Sequence, residues 1–151
     1  MSNWTWLAFA CGTILCWGAY GPMIHEGQVA LKSPWKAILC VGGAYFVIGV
    51  LIPLVIMKAQ GEVFDFNGKG TTYASIAGVL GALGAVFVVA AMRSGGNPVY
   101  VMPLIFGGAP IINIVVSNLL HRPKSPPSPL LYMGFVLVLI GAGMVLRFKP
   151  K

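Results

Sequence analysis

Apolar side chains run along this chain in five nearly uninterrupted segments with short polar stretches between them. The segments cover residues 4–24, 35–57, 73–92, 99–120 and 130–146. Each approaches the roughly 20 residues that an α-helix needs to cross a ~30 Å hydrocarbon core, the last being the shortest. None alternates with the period of two expected for a barrel strand, and each is about twice such a strand in length. A buried core helix is the other way to read one such segment, but five in series leave too little polar surface for a water-soluble fold. The pattern predicts an all-α polytopic membrane protein, with a single domain over residues 1–151 whose five transmembrane helices form a compact bundle. The opening residues carry no basic side chain, and the first apolar run exceeds the roughly 7 to 15 residues of a signal-peptide core. That segment is therefore read as a transmembrane helix.

Composition agrees with this class and narrows it. Hydrophobic residues make up 58% of the chain and charged residues 9%, against roughly 25% charged in soluble domains. The three carboxylates, Glu26, Glu62 and Asp65, all fall outside the five segments. The net charge of +7 comes from Lys and Arg scattered along the connectors, which read as interfacial anchors and topology signals rather than a nucleic-acid footprint. Trp4, Trp6, Trp35, Tyr73, Tyr100 and Tyr132 stand at segment starts, where aromatic rings prefer the headgroup level. The expected location is the cell (plasma) membrane.

Catalytic chemistry has little to be built from. Cys11, Cys16 and Cys40 match no redox or metal spacing and read as small buried apolar residues. His25 and His121 fall in different loops on opposite membrane faces. No enzyme activity, metal or other cofactor is expected. His25 and Glu26 read as a solvated pair at the membrane edge. Glycine and alanine stripes, Gly42 with Gly49, Gly78 with Ala82 and Ala85, and Gly134 with Gly141, predict close helix packing.

The candidate site comes from polar and proline residues inside the apolar segments. In the fourth, Pro103, Phe106, Pro110, Asn113 and Ser117 recur at spacings of three and four and share a face. Asn113 and Ser117 either hydrogen-bond to a neighbouring helix or line a solute cavity. In the first, Thr13, Trp17 and Tyr20 share a face ahead of a Gly21-Pro22 break, and the two rings offer flat surfaces with one donor each. Packing is the alternative role for each. The substrate-binding candidates are Trp17, Tyr20, Pro110, Asn113 and Ser117. A carboxylate switch at depth, the usual device of proton-coupled cation exporters, has no residue to perform it.

Trp17-Gly18 late in the first helix, a glycine-rich third helix running into a tight turn, a fourth helix with prolines, and Gly134, Gly141 and Gly143 in the last form a recognisable set. With these features the chain resembles one EamA-type domain of the drug/metabolite transporter superfamily, over nearly its whole length. The resemblance implies half of an inverted-repeat transporter, since most members carry two such domains with substrate bound between them. An odd number of spans lets a second copy, inserted the opposite way, reproduce that inverted pair. The implied function is alternating-access transport of a small metabolite-like solute by a homodimer in the lipid bilayer, with an antiparallel arrangement as one of its two topologies. A structural or accessory membrane subunit is the competing class. Members often place a Glu just after the fourth helix; His121 and Arg122 stand here, so no role of that acid transfers.

Basic residues on the two faces set the orientation. Lys58, Lys69, Arg122 and Lys124 share the side of the N-terminus, and Lys32, Lys36, Arg93, Arg147, Lys149 and Lys151 lie on the other. Six against four favours a cytoplasmic C-terminus, by a margin narrow enough to raise insertion in both orientations as a hypothesis. Reporters active on opposite sides of the membrane, fused to the C-terminus, are expected to respond on both sides. A signal from one side alone excludes dual insertion.

Overall fold

A computed structural model describes residues 4–121 and 128–148. The described residues are helical apart from short connectors, with no strand among them. Helix α1 covers Thr5–Ala30, α2 Pro34–Phe46, α3 Ile52–Gln60, α4 Gly68–Arg93, α5 Pro98–Leu120 and α6 Pro129–Arg147. A π-helical turn, Val47–Leu51, joins α2 to α3 in one span, so five helical spans are long and apolar enough to cross a membrane. The protein is an integral membrane protein by this architecture. The fourth connector, whose prolines predict a stiff, extended segment, falls largely on residues 122–127, which lie outside the described ones, as do Lys149 and Lys151.

Local sequence explains where the helices start. Ser33, Asn97 and Ser128 each precede a proline at the first helical position, where a missing N–H costs nothing. The side chains of these three residues accept from the backbone N–H of Lys36, Val99 and Leu130, at 3.3, 2.9 and 3.3 Å. Asn67 caps α4 in the same way, its Oδ1 accepting from Gly70 N–H at 2.8 Å, which starts that helix five residues before the expected Tyr73. The apolar run and the helix are different objects: the run ends at the lipid edge, whereas the helix ends at its cap.

The end of α1 corrects two expectations. No break occurs at Gly21-Pro22: Pro22 removes one intrahelical bond, to the Gly18 carbonyl, and α1 continues through it. The helix runs on to Ala30 and takes in His25 and Glu26, which are helical rather than looped. Neighbours in a helix point about 100° apart, so this pair does not face itself. Pro53 has a different effect on the second span. Four residues before it stands Gly49, inside the π-turn, where the wider helix moves the carbonyl away from the proline ring.

The chain divides into two compact units, Met1–Gly95 and Gly96–Lys151. In the first, α1 and α2 form an antiparallel hairpin, and α4 packs against both. Its buried residues, Gly21, Ile24, Ala37, Ala85, Val88, Val89 and Met92, all belong to the end of α1, the start of α2 and the end of α4. The core therefore occupies one end of the unit. Gln28 Nε2 donates to Met92 Sδ there at 3.7 Å, and a Cβ on Gly27 would stand 3.9 Å from the Ala37 Cβ. Beyond that end α3 packs on no other helix of its unit. Compactness was expected along whole helices, but in this unit it is local.

The second unit is the α5–α6 pair. Its closest approach is at Gly107, where an added Cβ would lie 3.0 Å from the Ala142 Cβ and 3.6 Å from Val138. Gly107 and Ala142 are buried. The anticipated stripes are not the contact points: Cβ atoms added at Gly42, Gly49, Gly78, Gly134 or Gly141 would meet nothing within 4 Å. Small-residue spacing permits close approach without saying which face is used, and only Ala85 of those stripes is buried. The three cysteines are exposed on α1 and α2 rather than buried.

One helix-ending motif occurs twice with different residues. After α3, Gly61 takes φ 67° while Glu62 N–H reaches the Met57 carbonyl at 3.0 Å; after α1, Lys32 takes φ 51° while Ser33 N–H reaches the Gln28 carbonyl at 3.2 Å. A side chain in the left-handed region costs roughly 1–2 kcal/mol, which glycine avoids, so Lys32 is strained and Gly61 is not. Gly61→Ala is expected to destabilise by about 1 kcal/mol, and Lys32→Gly to stabilise by up to about 1 kcal/mol after the entropy of the unfolded chain is counted. Thermal unfolding in detergent measures both; equal shifts of one sign would contradict the assignment.

Candidate functional site

In unit 1 the candidate side chains lie on α1. Thr13 is satisfied within its own helix, its hydroxyl donating to the Phe9 carbonyl at 3.0 Å, and so is not free to define a site. Trp17, one turn on, is 59% exposed. Tyr20, at the edge of the packed end, is half-buried. Its hydroxyl oxygen is wholly covered, yet no hydrogen-bond partner exists for it among the described residues. An unpartnered buried hydroxyl costs roughly 1–3 kcal/mol by protein mutational data.

The neighbour across the hairpin is Tyr45 of α2, a residue absent from the sequence-based candidates. The Gly27–Ala37 contact fixes the antiparallel register. Counting seven residues from each end of that contact brings Tyr20 level with Ala44, one position from Tyr45. Tyr45 is about half exposed. No signal in the sequence pointed to it, since the turn at Lys32 and the register that follows from it are properties of the folded hairpin.

In unit 2 the candidates lie on α5. Pro110 is half-buried, whereas Asn113 and Ser117 are both exposed. Gly107 faces α6, and Ile111 and Ile114 are half-buried along the same side. Asn113 and Ser117 sit off that side, one turn apart, as their spacing requires. Their side chains do not serve the α5–α6 contact. The Ser117 carbonyl accepts from His121 N–H at 2.7 Å and closes the helix.

Ionised groups keep to the helix ends. Lys36 stands in the first turn of α2, Lys69 in that of α4, and Lys58, Arg93 and Arg147 in the last turns of α3, α4 and α6, where they complement the helix dipole. Arg147 also lies 5.9 Å from the Phe148 ring centroid. Among the described residues no group of His, Cys, Asp or Glu is placed to hold a metal ion. The interior chemistry on offer is hydrogen bonding and ring stacking.

Comparison with protein families, curated proteins and solved structures finds no match for this chain.

Because Asn113 is exposed and does not join α5 to α6, Asn113→Ala is expected to change the thermal stability of the detergent-solubilised monomer by less than about 0.5 kcal/mol. A loss well above the average of about 0.6 kcal/mol for an interhelical hydrogen bond in a membrane would assign Asn113 to packing instead.

Proposed function

We propose that this chain is a transporter of a small neutral or weakly charged solute, resembling half of an EamA-type drug/metabolite transporter and acting by alternating access as a homodimer. The observation that carries the reading is the exposure of Asn113 and Ser117, one turn apart, on a span that is apolar for most of its length. An amide at membrane depth is tolerated where it lines a water-filled path or meets another chain. Five spans support the dimer, since an odd number turns a second copy into an inverted repeat when the two insert oppositely. Trp17 and Tyr20 supply rings, and Pro110 shapes α5 one turn before Asn113.

A structural or accessory subunit explains the same exposed amide by contact with a foreign helix. Flux separates the two. Purified protein in liposomes is expected to give saturable uptake of at least one member of a broad solute panel, reduced by Asn113→Leu about tenfold, the equivalent of one lost hydrogen bond. Absence of flux across the panel, together with copurification in a fixed larger complex, would establish the accessory role.

A further inference from the structure

Tyr20 carries the one buried side-chain polar atom without a partner among the described residues. Groups kept in that condition at a cost in stability call for an explanation, and a ligand that supplies the partner is one. The surroundings limit what that ligand is. Trp17 stands one turn away on α1 and is more than half exposed, and Tyr45, about half exposed, follows Ala44, the residue that the hairpin register brings level with Tyr20. The ionised side chains of this unit sit towards helix ends or in connectors: Glu26 lies near the end of α1, Lys36 at the start of α2 and Arg93 at the end of α4. A charged solute at this level would lose its hydration and find no counter-ion.

We propose, resting on the transporter reading, that Tyr20 and Tyr45 are the hydrogen-bonding pair for a neutral solute bearing hydroxyl or amide groups beside a flat face, with Trp17 as its stacking surface. Tyr45 is thereby a specificity-determining residue. The site belongs wholly to unit 1. It lies where packing stops: residues of α1 before Tyr20 are not buried, whereas Gly21 and Ile24 are. The covered Tyr20 hydroxyl is reached when the hairpin parts at that level, and a bond to solute then replaces the one that is missing. Solute binding and opening are coupled through a single oxygen atom.

The test uses the full chain in liposomes, with Trp4, Trp6 and Trp35 changed to Phe so that Trp17 alone reports binding. Glucose, uridine and nicotinamide are the neutral probes, and tetraethylammonium and lactate the charged ones. At least one neutral probe is expected to quench Trp17 and neither charged probe to do so. Tyr20→Phe and Tyr45→Phe should each weaken that binding about tenfold. Tyr20→Phe should also melt at a higher temperature than its parent, because an unpartnered hydroxyl has been removed; a merely structural hydroxyl would give the opposite shift. A lower melting temperature for Tyr20→Phe, quenching by charged probes as strong as by neutral ones, or no quenching by any neutral probe overturns the proposal. Uptake measured in the same vesicles tells the two readings apart. Uptake that Tyr20→Phe leaves unchanged overturns the site and spares the transporter, whereas binding without uptake spares the site and overturns the transporter.

Discussion

Lipid offers the backbone no hydrogen-bond partner, and the rest of this structure follows from that constraint. Each span must satisfy its own N–H and C=O groups, which only a helix does within one segment. Prolines then sort by position. Pro34, Pro98 and Pro129 stand first in their helices, where the N–H they lack has no intrahelical acceptor anyway. Pro22, Pro53, Pro103 and Pro110 lie farther in, and each frees the carbonyl four residues before it. For Pro22 and Pro53 that carbonyl belongs to glycine, Gly18 and Gly49.

Because each helix closes its own hydrogen bonds, few contacts between helices are needed to keep the secondary structure. Ala37 is the one buried residue of the second span, and the α5–α6 pair meets closely around Gly107 and Ala142. The bilayer takes the role that a core plays in water, so exposed Leu, Ile, Val and Phe on these helices are no cost. Polar side chains are the informative minority. Thr13, Thr71, Thr72 and Ser94 return their hydroxyls to carbonyls one turn earlier, at 3.0, 2.9, 2.8 and 3.0 Å. Tyr20 is too long and rigid to do the same, and its oxygen is left without a partner.

The number and order of spans were legible in the sequence because apolar length is a property of each segment alone. Helix ends were less so: Asn67 and Ser33 fix α4 and α2 through single hydrogen bonds, and a polar residue looks the same whether it caps a helix or belongs to a loop. Pro22 reads as a break in the sequence, yet the loss of one intrahelical bond leaves the rest of the α1 ladder in place. The glycine stripes were misassigned for a related reason, since which face is turned to a neighbour depends on how helices rotate about their axes. Trp17, Tyr20, Asn113 and Ser117 could be picked out as polar or aromatic groups in apolar runs. Tyr45 could not, because only the register of the hairpin, set where Gly27 meets Ala37, puts it next to the residue level with Tyr20.

The π-turn at Val47–Leu51 has a geometric effect on everything after it. A π-turn holds more residues per revolution than an α-turn, so α3 emerges out of phase with α2. Gly42 and Gly49, seven apart and aligned in an unbroken helix, diverge once the second of them lies within the turn. The second span is thus two short helical frames set at an offset rather than one long ruler, and a stripe of residues begun on α2 does not continue in line along α3.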